Sequence, residues 1–295
     1  MIPNSDIREL RPPGVALVLE GGGFRGMFTA GVLERFLHER LHFERAVGVS
    51  AGAAYGISYV SRQIGRNLAV SNGYAWTPQY YGLRNYLRTG SFFDWEFIYG
   101  QVPQRLVPLD YEAIRRSSTR LEVVVTSLRT GRAEHVPAND LDPDALKLLL
   151  AASSSLPVIS KPIAFRGELF MDGGIADSIP AAHALATGAK RVVAVLTRPA
   201  GYRKRRPVVM GLVGLSYGRH PEFRRALARR EDEYNASIDF LEGLERDGRA
   251  FVVRPEGPIP VGRTENDAAK LEALFRVGER HAERILPDLR TWIGS

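Results

Sequence analysis

The sequence predicts an α/β fold with a largely parallel central sheet and additional helices, and three observations carry that prediction. An apolar run at residues 15–19 leads through Glu20 and a glycine cluster into residues 27–40, where Val32, Leu33, Phe36 and Leu37 recur at helical spacing. The same grammar repeats at once: a short buried strand at 46–49, Ser50 at its end, and a small, apolar helix at 51–60. Two successive strand–helix units this short imply parallel strands. Further strand candidates at 121–126, 169–171, 191–196 and 250–253, separated by helical stretches, complete a layered α/β arrangement.

One domain accounts for the chain. A single α/β sheet with appended helices reaches 295 residues comfortably, and 44% apolar with 25% charged residues excludes disordered and collagenous classes. No internal repeat, low-complexity tract or linker marks a boundary, so residues 14–285 are expected to form one unit, with 201–285 as a C-terminal extension of 14–200. No run of about 18 apolar residues is present, and the N-terminus lacks the basic-then-apolar pattern of a secretion signal. The expectation is a cytoplasmic protein. The absence of cysteine excludes disulfides, thiolate nucleophiles and Cys-ligated zinc together. A formal charge of +7, largely from arginine, suits contact with nucleic acid, anionic lipid or an acidic substrate without choosing among them, and equally a solvated basic surface. No nucleic-acid partner is expected.

Between residues 67 and 104 the strand–helix grammar lapses and aromatics crowd in, among them Tyr80, Phe93, Trp95 and Tyr99. No acidic residue occurs from Arg45 to Phe93. A basic, aromatic insertion of this kind suits a cap that forms an acyl-chain pocket or leans on a membrane, or a second core layer. Arg203, Lys204, Arg205 and Arg206 read as an exposed basic loop. An amphipathic helix is expected at 221–245, with Phe223, Leu227, Tyr234, Ile238 and Leu241 on one side and a stop at Asp247-Gly248. A final helix is expected at 266–284.

Two glycine motifs carry the chemistry. Gly21, Gly22, Gly23, Phe24, Arg25 and Gly26 form a turn between strand and helix where backbone N–H groups can converge on an anion. The spacing also fits a dinucleotide fingerprint, but that reading wants an acid at the end of the second strand, where Gly48-Val49-Ser50-Ala51-Gly52 stands instead. No Gly-Lys pair exists for a phosphate-binding loop of the Walker type. Gly48 and Gly52 around Ser50 match the nucleophile elbow, a strained strand-to-helix turn that presents a serine hydroxyl.

A serine nucleophile needs a base. None of the six histidines is placed for it: His281 lies in a charged helical stretch, and His183 in a helical segment that suits a structural role. Asp172 follows a short strand and precedes Gly173 and Gly174, which let the chain turn sharply and leave the carboxylate in an open site. Asp177 is the runner-up. His38 and His42 match H-E-x-x-H, but no third ligand follows at a zinc-protease spacing, and no metal is expected.

Taken together, the glycine turn after Leu17-Val18-Leu19-Glu20, then Gly48-Val49-Ser50-Ala51-Gly52, then Asp172-Gly173-Gly174, resemble the three ordered motifs of the patatin-like phospholipases. Residues 149–156, with Ser153, Ser154, Ser155 and Leu156 before a proline, extend the likeness, which runs over roughly 14–285 on the pattern of the bacterial branch. The resemblance implies a three-layer α/β/α fold and a cofactor-free lipid acyl hydrolase. It further implies Ser50 as nucleophile, Asp172 as base and residues 21–26 as the oxyanion-hole loop. The alternatives it leaves open are a membrane-binding scaffold of the same fold and a non-lipid serine esterase.

Overall fold

A computed structural model describes residues 9–205, 213, 216–265 and 267–295. The sheet contains β1 (Val15–Leu19), β2 (Arg45–Val49), β3 (Arg120–Ser127), β4 (Ala133–Pro137), β5 (Ile163–Phe165), β6 (Glu168–Asp172), β7 (Arg191–Val195) and β8 (Ala250–Val253). Five strands run parallel in the order β3-β2-β1-β7-β8, and β4, β5 and β6 join antiparallel. The parallel core is the one the sequence predicts. β4 and β5 were not anticipated, because Ala133–Pro137 mixes charge with apolar residues and Ile163–Phe165 spans only three residues.

Alternation along β1 shows why both faces must be covered. Val15, Leu17 and Leu19 enter one core cluster, whereas Ala16 and Val18 enter another on the opposite face. The first face is packed by α1 (Met27–His38), α2 (Ala51–Val60) and the C-terminal helix Ala268–Gly294, together with Pro143–Ser154. The second is packed by Ala181–Ala186 and by Pro221–Arg246, whose Tyr234, Ile238, Leu241 and Leu244 form its apolar stripe. The result is three layers, helix over sheet over helix.

The Pro221–Arg246 helix stops where expected, with Gly248 at φ +69°. The last helix extends ten residues beyond the expected end at 284 and carries Pro287 within it; its expected first residue, Asn266, lies outside the described residues. Its Leu271, Leu274, Phe275, Ala282, Leu289 and Ile293 share one core with β1 and α1, so the described C-terminal segment is continuous with the N-terminal fold.

One feature of register positions the site. β2 lies along β3 from Arg120 to Val124, and β6 takes over the same edge from Val125 to Ser127, since β4 occupies the opposite edge across both stretches. Val49 therefore pairs with Val124, and Asp172 pairs with Val125 in the next row. The carboxyl ends of β2 and β6 meet head to head.

Candidate active site

Ser50 leaves β2 with φ +53° and ψ −122°, a conformation that costs an L-residue on the order of 1–3 kcal/mol and persists only where its surroundings enforce it. The enforcement is visible. A β-carbon at Gly48 would lie 2.7 Å from Ala53 Cα, and one at Gly52 would lie 2.5 Å from the Leu19 carbonyl oxygen. Both positions must be glycine for α2 to start so close to β1 and β2. The Ser50 N–H donates to Ser153 Oγ at 2.9 Å, and Ser153 Oγ donates to the Val124 carbonyl at 2.7 Å. Ser153, in the sequence one of a run of three serines, thus fixes the elbow from the Pro143–Ser154 helix.

Asp172 is 3% exposed and equally constrained. Its N–H donates to the Ser155 carbonyl at 2.7 Å, its carbonyl accepts from Thr126 Oγ1 at 2.9 Å, and its Oδ1 accepts the Gly174 N–H at 2.8 Å. Ser50 and Asp172 line one cleft, and the Ser50 hydroxyl stands near enough to favour the ionised carboxylate. Burial raises the Asp172 carboxyl above its ordinary value, against Arg230, the Ser50 hydroxyl, the Gly174 N–H and Arg263, which pull it down. Asp177, the alternative acid, pairs instead with His135 at 3.0 Å. His183 meets Glu122 and stacks on His135 with ring centroids 3.5 Å apart. α1 ends at His38, so His38 and His42 do not share a helix face, and His42 is buried with its pKa lowered to about 4, chiefly by desolvation.

The glycine loop passes directly over Ser50. Gly21 lies so near that a β-carbon there would stand 3.0 Å from Ser50 Cβ. Among the described residues the N–H groups of Gly22 and Gly23 have no acceptor. The Phe24 N–H, expected among the oxyanion donors, instead donates to the Arg263 carbonyl at 3.2 Å, because the 263–264 segment crosses the loop. Gly26 packs against the Tyr55 ring and leads into α1. Glu20, unremarked in the sequence, anchors the loop: it is buried and accepts from the Thr197 N–H at 2.6 Å, Thr197 Oγ1 at 3.0 Å and Tyr234 OH at 2.9 Å.

Two cavities of contrasting character open from Ser50. The first, about 640 Å³ including its mouth, is walled by Phe24, Tyr55, Tyr80, Phe93, Trp95 and Tyr99. It continues past Phe24, Ala54, Tyr55 and Tyr80 into a second apolar cavity lined by Ile57, Val102 and Leu150. Residues 67–104 supply four of the six aromatic rings of the first cavity, with Phe93 stacked on Trp95 at 5.1 Å and Trp95 on Tyr99 at 5.7 Å. Burial pushes the Tyr99 hydroxyl up to about 12 and raises those of Tyr55 and Tyr80.

The other cleft is polar, with Asp172, Glu20 and five cations on its wall: Arg25, Arg198, Lys204, Arg230 and Arg263. Lys204 corrects the expectation of a solvated basic loop. Arg203 turns outward onto Asp239 and Glu242, and Arg205 is exposed, but Lys204 turns inward over the Tyr234 ring, 3.7 Å from its centroid. Arg206 lies outside the described residues.

A family model described as patatin-like phospholipase matches residues 17–185, more than half of the chain. The chain belongs to that family. A second model, a domain of unknown function designated DUF6363, matches residues 220–294. Over 197 residues the chain is 29% identical to the uncharacterized protein YjjU of Escherichia coli, covering 65% of this chain and 54% of YjjU. Over 147 residues it is 29% identical to the lysophospholipase NTE1 of Scheffersomyces stipitis, covering 46% of this chain and 9% of NTE1. The chain therefore spans about half the length of one curated relative and a small part of the other. A crystal structure of VipD from Legionella pneumophila aligns with 93% of this chain and 66% of its own at 12% identity and a TM-score of 0.44. Membership supports a lipid ester hydrolase. Among the described residues no helix is long and apolar enough to cross a membrane.

Proposed function

We propose that the chain is a serine lipid acyl hydrolase of the phospholipase A or lysophospholipase type, working through a Ser50–Asp172 dyad. The observation that carries this reading is Ser50, held in a strained elbow and sharing one cleft with the buried carboxylate of Asp172 and, among the described residues, with no histidine.

In the reaction, Ser50 Oγ attacks the ester carbonyl as its proton passes to Asp172. The N–H groups of Gly22 and Gly23 hold the negative oxygen of the tetrahedral intermediate. Collapse breaks the bond to the alcohol, which takes the proton from Asp172 and leaves an acyl group on Ser50. Water then attacks the acyl-enzyme, gives its proton to Asp172, and the fatty acid leaves as Ser50 recovers that proton. Aspartate is a weak base for a serine. Burial, which raises its proton affinity, and a preorganised oxyanion site both lower the barrier.

The aromatic cavity suits the acyl chain, since it is apolar and reaches Ser50. The exposed Trp76, Leu83 and Leu87 of the same segment, with exposed Arg84 between Leu83 and Leu87, suit contact with an anionic membrane. Leu87→Glu is expected to weaken co-sedimentation with anionic vesicles; unchanged sedimentation would refute that contact.

The test of the whole is hydrolysis of short-chain esters, phospholipids, lysophospholipids and triacylglycerols by the wild type, Ser50→Ala and Asp172→Asn. The wild type is expected to release fatty acid from lipid substrates, and both variants to lose turnover. Absence of all ester hydrolysis by the wild type would favour a scaffold, and a restriction to short, water-soluble esters would favour a non-lipid esterase.

A further inference from the structure

The polar cleft beside Asp172 gathers five cations against two carboxylates, Asp172 and Glu20. Arg25 and Arg198, Lys204, Arg230 and Arg263 line one space of about 420 Å³ including its mouth. Among the described residues none of the five lies within ion-pair distance of a carboxylate. Elsewhere the chain pairs its arginines freely, and the immediate neighbour Arg203 meets two acids. The carboxylate of Glu20, on the same wall, is already held by Thr197 and Tyr234.

The side chains are also held in place. Arg230 Nε donates to the Gly174 carbonyl at 3.0 Å, Lys204 Nζ donates to Ser178 Oγ at 3.3 Å, and Ser178 Oγ donates to that same Gly174 carbonyl at 2.8 Å. The Arg198 guanidinium sits over the Tyr202 ring at 4.3 Å. Arg25 is 8% exposed, and its Nε has no hydrogen-bond partner. These cations feel one another. Burial first, and then Arg198 and Arg263, lower the Arg25 pKa to about 10, while burial followed by Arg230 lowers Lys204 to about 7. A cluster of desolvated like charges is destabilising on its own, and an anion among them relieves the repulsion.

Position converts this anion site into a statement about substrate. The aromatic cavity and the cationic cleft both open on Ser50, so an ester carbonyl placed there would direct its acyl chain into the first and its alcohol portion into the second. We propose that the cationic cleft receives the phosphate of the leaving alcohol, so that the protein selects acyl esters with a net-negative phosphate head group over neutral and zwitterionic ones. The head-group assignment rests on the acyl-hydrolase reading above. Four of the five cations, Arg198, Lys204, Arg230 and Arg263, lie beyond the segment matched by the phospholipase family model. The selectivity is thus a contribution of the C-terminal third of the chain.

The experiment separates binding from turnover. Ser50→Ala, which retains the cleft, is titrated calorimetrically with oleoyl lysophosphatidic acid, oleoyl lysophosphatidylcholine and mono-oleoylglycerol, each with and without inorganic phosphate. The anionic lipid is expected to bind at least about tenfold more tightly than the neutral one, about 1.4 kcal/mol, and inorganic phosphate to compete with it alone. In the otherwise wild-type enzyme, Arg198→Gln is expected to lower the ratio of kcat/KM for the anionic over the neutral ester by about tenfold, and Arg198→Lys to restore much of it. Equal affinity for all three lipids overturns the proposal, as does phosphate that binds without displacing the anionic lipid. Because Ser50→Ala needs no catalysis, an inactive wild-type enzyme would refute the hydrolase reading while the titration still reported on the anion site.

Discussion

Replacing Gly52 with alanine drives a methyl carbon to within 2.5 Å of the Leu19 carbonyl oxygen and 2.8 Å of that of Glu20. Both obstacles are main chain in the buried end of β1, so neither can rotate aside. Ordinary contact begins near 3.4 Å, which leaves α2 about 0.9 Å too close and requires its first turn to back away from the sheet. Ser50 caps that turn and moves with it. Overpacking of this kind costs ~1–3 kcal/mol of stability, but a misplacement of ~1 Å between reacting groups costs ~10²-fold in rate. Activity should therefore fall far more than folding. Gly56→Ala provides the control on the same helix, since its β-carbon would crowd the terminal Cδ1 of Leu19 at 2.9 Å and meet Leu121 Cδ1 at an ordinary 3.9 Å, and the Leu19 side chain can adjust. The assay is the rate of fluorophosphonate labelling beside urea denaturation. A Gly52→Ala protein that labels at the wild-type rate, or a Gly56→Ala protein as impaired as Gly52→Ala, would refute the elbow argument.

Asp172→Asn should abolish ester turnover without lowering Tm. The folded carboxyl titrates above its ordinary value, so ionised Asp172 costs stability as pH rises through that folded pKa, and a neutral amide that still accepts the Gly174 N–H removes the cost; a clear loss of Tm at pH 7 would contradict this. Lys204, with its pKa lowered from 10.5 to about 7, faces Arg230, Arg263, Glu20, Asp172, the Tyr234 ring and Ser178. The unfolded chain holds more protons than the folded one between pH 7 and 10.5, so this group makes stability rise with pH across that window. Lys204→Met should flatten that slope in a denaturation series, and an unchanged slope counts against the burial of the ammonium. Gly278→Val places a side chain 2.1 Å from the Phe28 carbonyl oxygen, where the last helix crosses α1. The expected outcome is one cooperative thermal transition at lower temperature, in keeping with a single unit over 14–285; a separate C-terminal transition would argue for two.

The parts of the fold legible in the sequence are those written locally. The apolar runs of β1, β2 and β7 are buried on both faces and show as near-continuous hydrophobic stretches, β8 is apolar though half-buried at Phe251 and Val252, and the helices that follow β1 and β2 begin at glycine turns whose spacing is diagnostic. Ser50 was readable because its two glycines stand beside it in the chain. Asp172 was readable only as a turn; its meeting with Ser50 depends on β6 replacing β2 along one edge of β3, a register that no local pattern records. The cationic cleft is less legible still. Arg198 and Lys204, Arg230, and Arg263 come from three segments of the chain and reach Ser50 only through packing, and of the four only Lys204 stands in a run that reads as solvated charge. The single foresight available was Lys204 beside Arg203, where an amphipathic helix with acids at 239 and 242 could have been expected to draw one basic residue outward and leave its neighbour facing in.

The central claim is that Ser50 is a nucleophile activated by Asp172. Its most direct measurement is mass-spectrometric mapping of the adduct formed with a fluorophosphonate, in the wild type, Asp172→Asn and Asp177→Asn. The account predicts a single adduct on Ser50 in the wild type and in Asp177→Asn, and its near-complete loss in Asp172→Asn. An adduct on another serine, or undiminished labelling of Ser50 without Asp172, would contradict it.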